Sequence, residues 1–185
     1  MSKFLTTNQI TAEIETIIID AEERLVLVSP YIKISELFIE RLRTATEKDI
    51  EIIIIYGKKD LSESEEEKLS EFSTINFFYC ENLHAKCYFN ESRMVITSMN
   101  LYEYSMLNNR EMGVLITKQD DYNVYSEAVK ETESIIENSL EDRFNIKKPN
   151  FFSIVFSIFK FIFKIFKSIF KYIFSIINYF TRRRE

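Results

Sequence analysis

Apolar and polar positions alternate in two rhythms along the first 140 residues. Ile10, Ile14, Ile17 and Ile18 recur at helical spacing and predict a helix over residues 8–23. Leu25 to Ser29 is a short unbroken apolar run stopped by Pro30, the signature of a buried strand. Ser35 stands where a helix through Leu37, Phe38 and Leu42 needs its N-cap. Ile50 to Tyr56 reads as a second buried strand ended by Gly57, and Ser62 with Glu65 as a capping box for an acidic helix reaching Phe72. Further strands are expected at Ile75 to Tyr79, Ala85 to Phe89, Met94 to Thr97 and Glu111 to Thr117, and a long helix from Asp121 to about Leu140. Asn90-Glu91-Ser92-Arg93 has tight-turn composition and joins two of these strands into a hairpin. Strands alternating with helices predict an α/β sandwich with a mixed sheet.

Beyond Lys147-Lys148-Pro149-Asn150 the rhythm changes, because proline rarely continues a helix. This divides the chain into a domain over 1–146, a linker over 147–150 and a tail over 151–185. Ten of the 17 phenylalanines lie in the tail. So do seven basic residues against Glu185 alone, which makes the tail +6 and leaves −11 of the total −5 for residues 1–150. The N-terminus carries no apolar run with a small-residue cleavage site, so no secretory signal is expected and Cys80 and Cys87 should be reduced, buried thiols. Two glycines cannot write a glycine-rich phosphate loop, and one histidine with two cysteines cannot build an ordinary His/Cys zinc site. No metal or cofactor is expected.

The candidate chemistry gathers around the single histidine: His84-Ala85-Lys86, then Thr97-Ser98-Met99-Asn100, then Asn109-Arg110-Glu111. On a strand His84 and Lys86 share a face, and the hairpin returns Ser98 and Asn100 to the same end. An imidazole, an ammonium, a hydroxyl and an amide there suit attack on a phosphodiester. Lys86 would neutralise the anionic oxygens, Ser98 and Asn100 would donate hydrogen bonds, and His84 would bond covalently to phosphorus. Lys58, Lys59, Arg93 and Arg110 are either phosphate-steering or solvated charges, with Arg110 the better candidate. Tyr102, Tyr104 and Met106 either line a groove or pack.

These residues resemble the phospholipase D superfamily, whose signature is HxKxxxxD, a GSxN-type loop and a downstream glutamate. His84 and Lys86 match; Glu91 stands at the Asp position; Thr97-Ser98-Met99-Asn100 is the loop, with Thr where Gly is usual. The resemblance covers roughly residues 8–140 and implies a mixed-sheet sandwich flanked by helices. It implies that Glu111 orients the histidine ring and that Glu91 buttresses the hairpin. Catalysis in that superfamily needs two histidines, one as nucleophile and one as general acid. One His84 per chain therefore implies a homodimer with the site on its two-fold axis.

On a helix, Ser153, Ser157, Lys160, Lys164, Lys167, Ser168, Lys171, Ser175 and Asn178 fall within a sector about 100° wide, and Phe and Ile fill the rest. A 150-residue domain has no obvious means to bury such a face, so the tail is expected to bind a membrane. Four lysines at bilayer centre would cost about 10–14 kcal/mol against a return of about 5–11 from Phe and Ile. An in-plane helix is therefore expected, with Arg182, Arg183 and Arg184 drawn to anionic lipid. The expectation is a metal-independent phosphodiesterase on the cytoplasmic face of a membrane, acting on phospholipid or nucleic acid. The alternatives are a membrane-tethered endonuclease, and a pore-forming effector whose domain senses or dimerises.

Overall fold

Two apolar runs of the domain become neighbouring parallel strands, β2 (Arg24–Val28) and β4 (Glu51–Tyr56), at the centre of an eight-stranded sheet. The computed structural model describes residues 1–33, 35–58, 63–102 and 108–141. All of them fall in the first of the chain's two units, Met1–Asn145, so the linker and the tail lie outside the described residues. The sheet runs β1 (Lys3–Thr6), β9 (Met112–Thr117), β7 (Arg93–Thr97), β6 (Cys87–Asn90), β2, β4, β5 (Ile75–Tyr79), β10 (Leu140–Glu141). Pairing is parallel through β2, β4 and β5 and antiparallel elsewhere, so the sheet is mixed. A separate pair joins β3 (Ile32–Lys33) to β8 (Leu101–Tyr102).

The central strands are apolar on both sides because helices cover both faces. Leu25, Leu27, Ile52, Ile54 and Tyr88 meet α1 (Thr7–Ile19), α2 (Glu36–Thr46) and α3 (Glu63–Ser70). Val26, Val28, Ile53, Ile55, Cys87 and Phe89 face α4 (Tyr122–Glu137). The four isoleucines that predict α1 are its buried residues, and Ser35 Oγ caps α2 by accepting from Phe38 N. Cys80 and Cys87 are free thiols.

Several boundaries differ from expectation. α1 stops at Ile19, where its apolar positions end, and residues 20–23 form a connection instead. α4 stops at Glu137, with Asn138 as its C-cap, so Leu140 pairs with Tyr79 in β10 rather than extending the helix. The strand expected from Ala85 begins at Cys87, and β1, β3, β8 and β10 are additional. Of the expected capping box on α3, Ser62 lies outside the described residues.

Candidate active site

Asn90 builds the hairpin that carries the site. It is fully buried at the end of β6, and its Oδ1 accepts from Ser92 N, Ser92 Oγ and Arg93 N, each at 3.0 Å. Its Nδ2 donates to Ile17 O at 3.0 Å, tying the turn to α1. Asparagine is suited to this because its side chain can imitate a backbone turn. Glu91 then faces the connection after α1, where its carboxylate accepts from the backbone N–H groups of Glu22, Glu23 and Arg24 at 3.2–3.4 Å. Burial disfavours its charge, but its own backbone N–H together with those of Arg24, Glu23 and Glu22 outweighs burial and holds its pKa below the usual glutamate value.

At the other end of the hairpin, Cys87 pairs with Ile96 and Thr97 N donates to Lys86 O at 3.2 Å. His84 and Lys86 thus lie just before β6, beside Thr97 and Ser98 at the end of β7. The segment leading to His84 is fixed from β4. Gly57 sits so close that a Cβ there would lie 2.7 Å from Leu83 Cβ, and Asn82 takes a left-handed φ of 63°, which asparagine tolerates. Lys86 Nζ donates to His84 O at 2.8 Å and lies 3.5 Å from each ring nitrogen of His84. Burial lowers the Lys86 pKa, with the nearby Glu111 carboxylate opposing it.

Glu111 lies just before β9. Its N–H donates to Thr7 Oγ1 at 2.9 Å, and its carboxylate accepts from Ser98 Oγ and, at 3.1 Å, from Asn109 Nδ2. Ser98 Oγ also accepts from Met112 N at 3.2 Å. Thr97 fits the loop because its cross-strand partner is Gly113, where any Cβ would press on Thr97 at 3.1 Å. The Thr97 hydroxyl donates to Met112 O at 2.8 Å and accepts from Met99 N at 3.1 Å, while Tyr88 Oη donates to Met99 O at 2.8 Å. Asn100 buries its amide oxygen without a hydrogen-bond partner.

His84, Lys86, Thr97 and Ser98 border one cavity of about 700 Å³ that runs beneath α4. Its lining leaves out Asn100, Glu111 and Arg110, the last of which is exposed. Arg93 pairs with Glu13 at 3.3 Å and Lys58 is exposed, whereas Lys59 lies outside the described residues. Tyr102 joins β8; Tyr104 and Met106 lie outside the described residues, as do Lys160, Lys164, Lys167, Lys171, Arg182, Arg183 and Arg184. Among the described residues no group of three His, Cys, Asp or Glu could hold a metal ion, and no helix is long and apolar enough to cross a membrane. Sequence reasoning missed the parts of Thr97, Asn109 and Gly57. Gly57 left a trace, as one of only two glycines in the chain.

The arrangement holds an ammonium and an imidazole together in the lining of one cavity, with a hydroxyl bonded to a carboxylate beside them. Among solved structures, the phospholipase D family member Nuc from Salmonella typhimurium is similar at a TM-score of 0.65 and 12% identity, over 77% of this chain and 99% of that one. NucT from Helicobacter pylori is similar at 0.66 and 13%, with the same coverage. Phosphatidylserine synthase from Haemophilus influenzae is similar at 0.63 and 16%, over 78% of this chain and 40% of that one. At these identities the likeness is one of fold. No curated protein matches in sequence. A family model described as cardiolipin synthase, PLD-like domain, matches residues 14–138, well over half of the chain. With its mixed sheet flanked by helices, this chain belongs to the phospholipase D superfamily.

Proposed function

We propose that the protein is a membrane-attached phosphodiester hydrolase that works as a homodimer through a phosphohistidine. The observation that carries this reading is the meeting of His84, Lys86 and Ser98 at one cavity mouth. A ring nitrogen of His84 attacks phosphorus, and the bond from phosphorus to the leaving oxygen breaks. That oxygen takes a proton from the second copy's imidazole. Water then gives a proton to the same imidazole and opens the phosphorus–nitrogen bond, freeing His84. Lys86 and the donors Ser98 and Asn100 balance charge on the non-bridging oxygens. Ser98, already bonded to Glu111, is held in place before substrate arrives. Arg110 steers the phosphate, and no metal or cofactor takes part.

A second copy has a surface to cover. Phe4, Val114 and Ile96 lie side by side across β1, β9 and β7, exposed by 61%, 37% and 41%, with Met112 beside them at 66%. A contiguous apolar strip of this kind supports the reading that a second copy packs here. It adjoins a site that, with one histidine, is incomplete alone. The tail, through its lysine stripe and Arg182 to Arg184, keeps the dimer on anionic lipid at the cytoplasmic face of a membrane.

Hydrolysis of bis(p-nitrophenyl) phosphate in EDTA tests the chemistry: His84→Asn should abolish it, and strict loss of wild-type activity in EDTA refutes the mechanism. Mixing tests the stoichiometry. If each site needs both histidines, an equal mixture of wild type and His84→Asn, exchanged to equilibrium, retains about a quarter of the activity rather than half. Val114→Lys should give an inactive monomer in an equilibrium sedimentation run.

A further inference from the structure

The cavity does not end at the polar groups on its mouth. Beneath α4 its walls are Val28, Cys87, Ile96, Ala128, Ile135 and Thr132. Thr132 spends its hydroxyl on Ala128 O at 2.9 Å, which leaves its methyl as the free group. Burial pushes the Cys87 thiol up to about 12, so that wall is uncharged at neutral pH. The hollow exists because Ala128 and Thr132, four residues apart on one face of the helix, are small where they stand over the sheet. Larger side chains there would close it, as Tyr125 does one turn earlier by packing edge-on against Phe89 at 6.3 Å. At about 700 Å³ the space lies within the roughly 300–1,000 Å³ typical of small-ligand sites.

Two features orient an occupant. Lys86, the basic side chain of the lining, is at the His84 end, while Glu131 on α4 is an exposed carboxylate that would repel an anion. A nucleobase in the hollow would find few partners for its polar edge, and unpaired polar groups are costly to bury.

We propose that this hollow holds one alkyl or acyl chain of a phosphodiester whose phosphate sits at His84, Lys86 and Ser98, so that the substrate is a lipid. The inference rests on the reading of those three residues as a phosphate site. It assigns Ala128, Thr132 and Ile135 to chain binding.

The test is calorimetric binding of octyl phosphate, below its micellar concentration, against methyl phosphate, using the full-length protein. Each buried methylene contributes roughly fourfold in affinity, so octyl phosphate should bind more than tenfold tighter. In Ala128→Phe the gap should narrow at least about threefold as the ring takes up part of the hollow and displaces the chain. Ala128→Leu, a smaller change that guards against misfolding, should narrow it part of the way. Equal affinities in the wild type overturn the proposal. So does a gap that both variants leave unchanged, because the chain then binds elsewhere, residues 151–180 included. So does a thymidine oligonucleotide that binds more tightly than octyl phosphate and is lost in Ala128→Phe. Cleavage of bis(p-nitrophenyl) phosphate separates the two readings. A protein that cleaves it yet binds both phosphates equally refutes the chain pocket alone. One that shows the chain-length gap without cleavage refutes the hydrolase alone.

Discussion

Replacing Glu91 by Gln tests how the hairpin is held to the rest of the domain. The carboxylate accepts from three consecutive backbone N–H groups at 3.2–3.4 Å. Hydrogen bonds to a charged acceptor contribute about 1.5–3 kcal/mol each when short. These are long, and the donors of Glu22 and Glu23 are exposed enough to turn to water, so each is worth less. Only the Arg24 N–H is partly buried. The expected loss is about 1–2 kcal/mol at pH 7, or roughly 3–6 °C in Tm for a domain of this size. The pH dependence has a definite sign. A carboxylate whose pKa is lowered by folding contributes stability above its unfolded value, and that contribution is lost as pH falls through the folded value. Urea unfolding followed by circular dichroism should therefore show wild type and variant converging as pH drops below 4.5, the ordinary glutamate value. A gap that persists unchanged into that range, or no gap at pH 7, refutes the charge-based account.

Three further outcomes follow from the same geometry. Asn90→Ala should cost about 2–5 kcal/mol in urea unfolding, since it strips a fully buried amide from four hydrogen bonds and leaves Ile17 O and Arg93 N without their partner. Gly57→Ala should destabilise by about 1–3 kcal/mol and lower kcat more than Tm suggests, because the new methyl drives Leu83 away and His84 with it; Leu83→Gly in the same chain should restore part of the rate. Stability should decline between about pH 9 and pH 12. Burial pushes the Cys87 thiol up to about 12 and, with Glu91 nearby, the Tyr125 phenol likewise, so the unfolded chain loses those protons first. A flat unfolding free energy across that interval contradicts their burial.

What the sequence discloses depends on whether a feature is local. Leu25–Val28 and Ile52–Ile55 are legible as buried strands because helices on both faces demand unbroken apolar runs. The turn at 90–93 is legible because Asn90 organises it with its own neighbours. That turn brings Lys86 and Ser98 together, whereas the placing of His84 also needs the contact of Gly57 with Leu83. Strands of two residues such as β3, β8 and β10 have no signal of their own and exist only through their pairing. The bonds that fix Glu111 needed the sheet order, since β9 must lie beside β7 for Ser98 to reach it. The hollow under α4 is a tertiary feature. Ala128 and Thr132 are small at helical spacing, but their standing over Cys87 and Ile96 is a fact of tertiary packing.

The sheet's borders carry a consequence for how the protein survives at high local concentration. One border strand, β1, has four residues and begins at Lys3; the other, β10, has two and ends at Glu141. Short, charge-flanked edges offer little template for another chain to add a strand. At high concentration the molecules would gain little by zipping edge to edge into fibrous aggregates. Association is left to side-chain surfaces, whose fit is selective, rather than to open backbone edges.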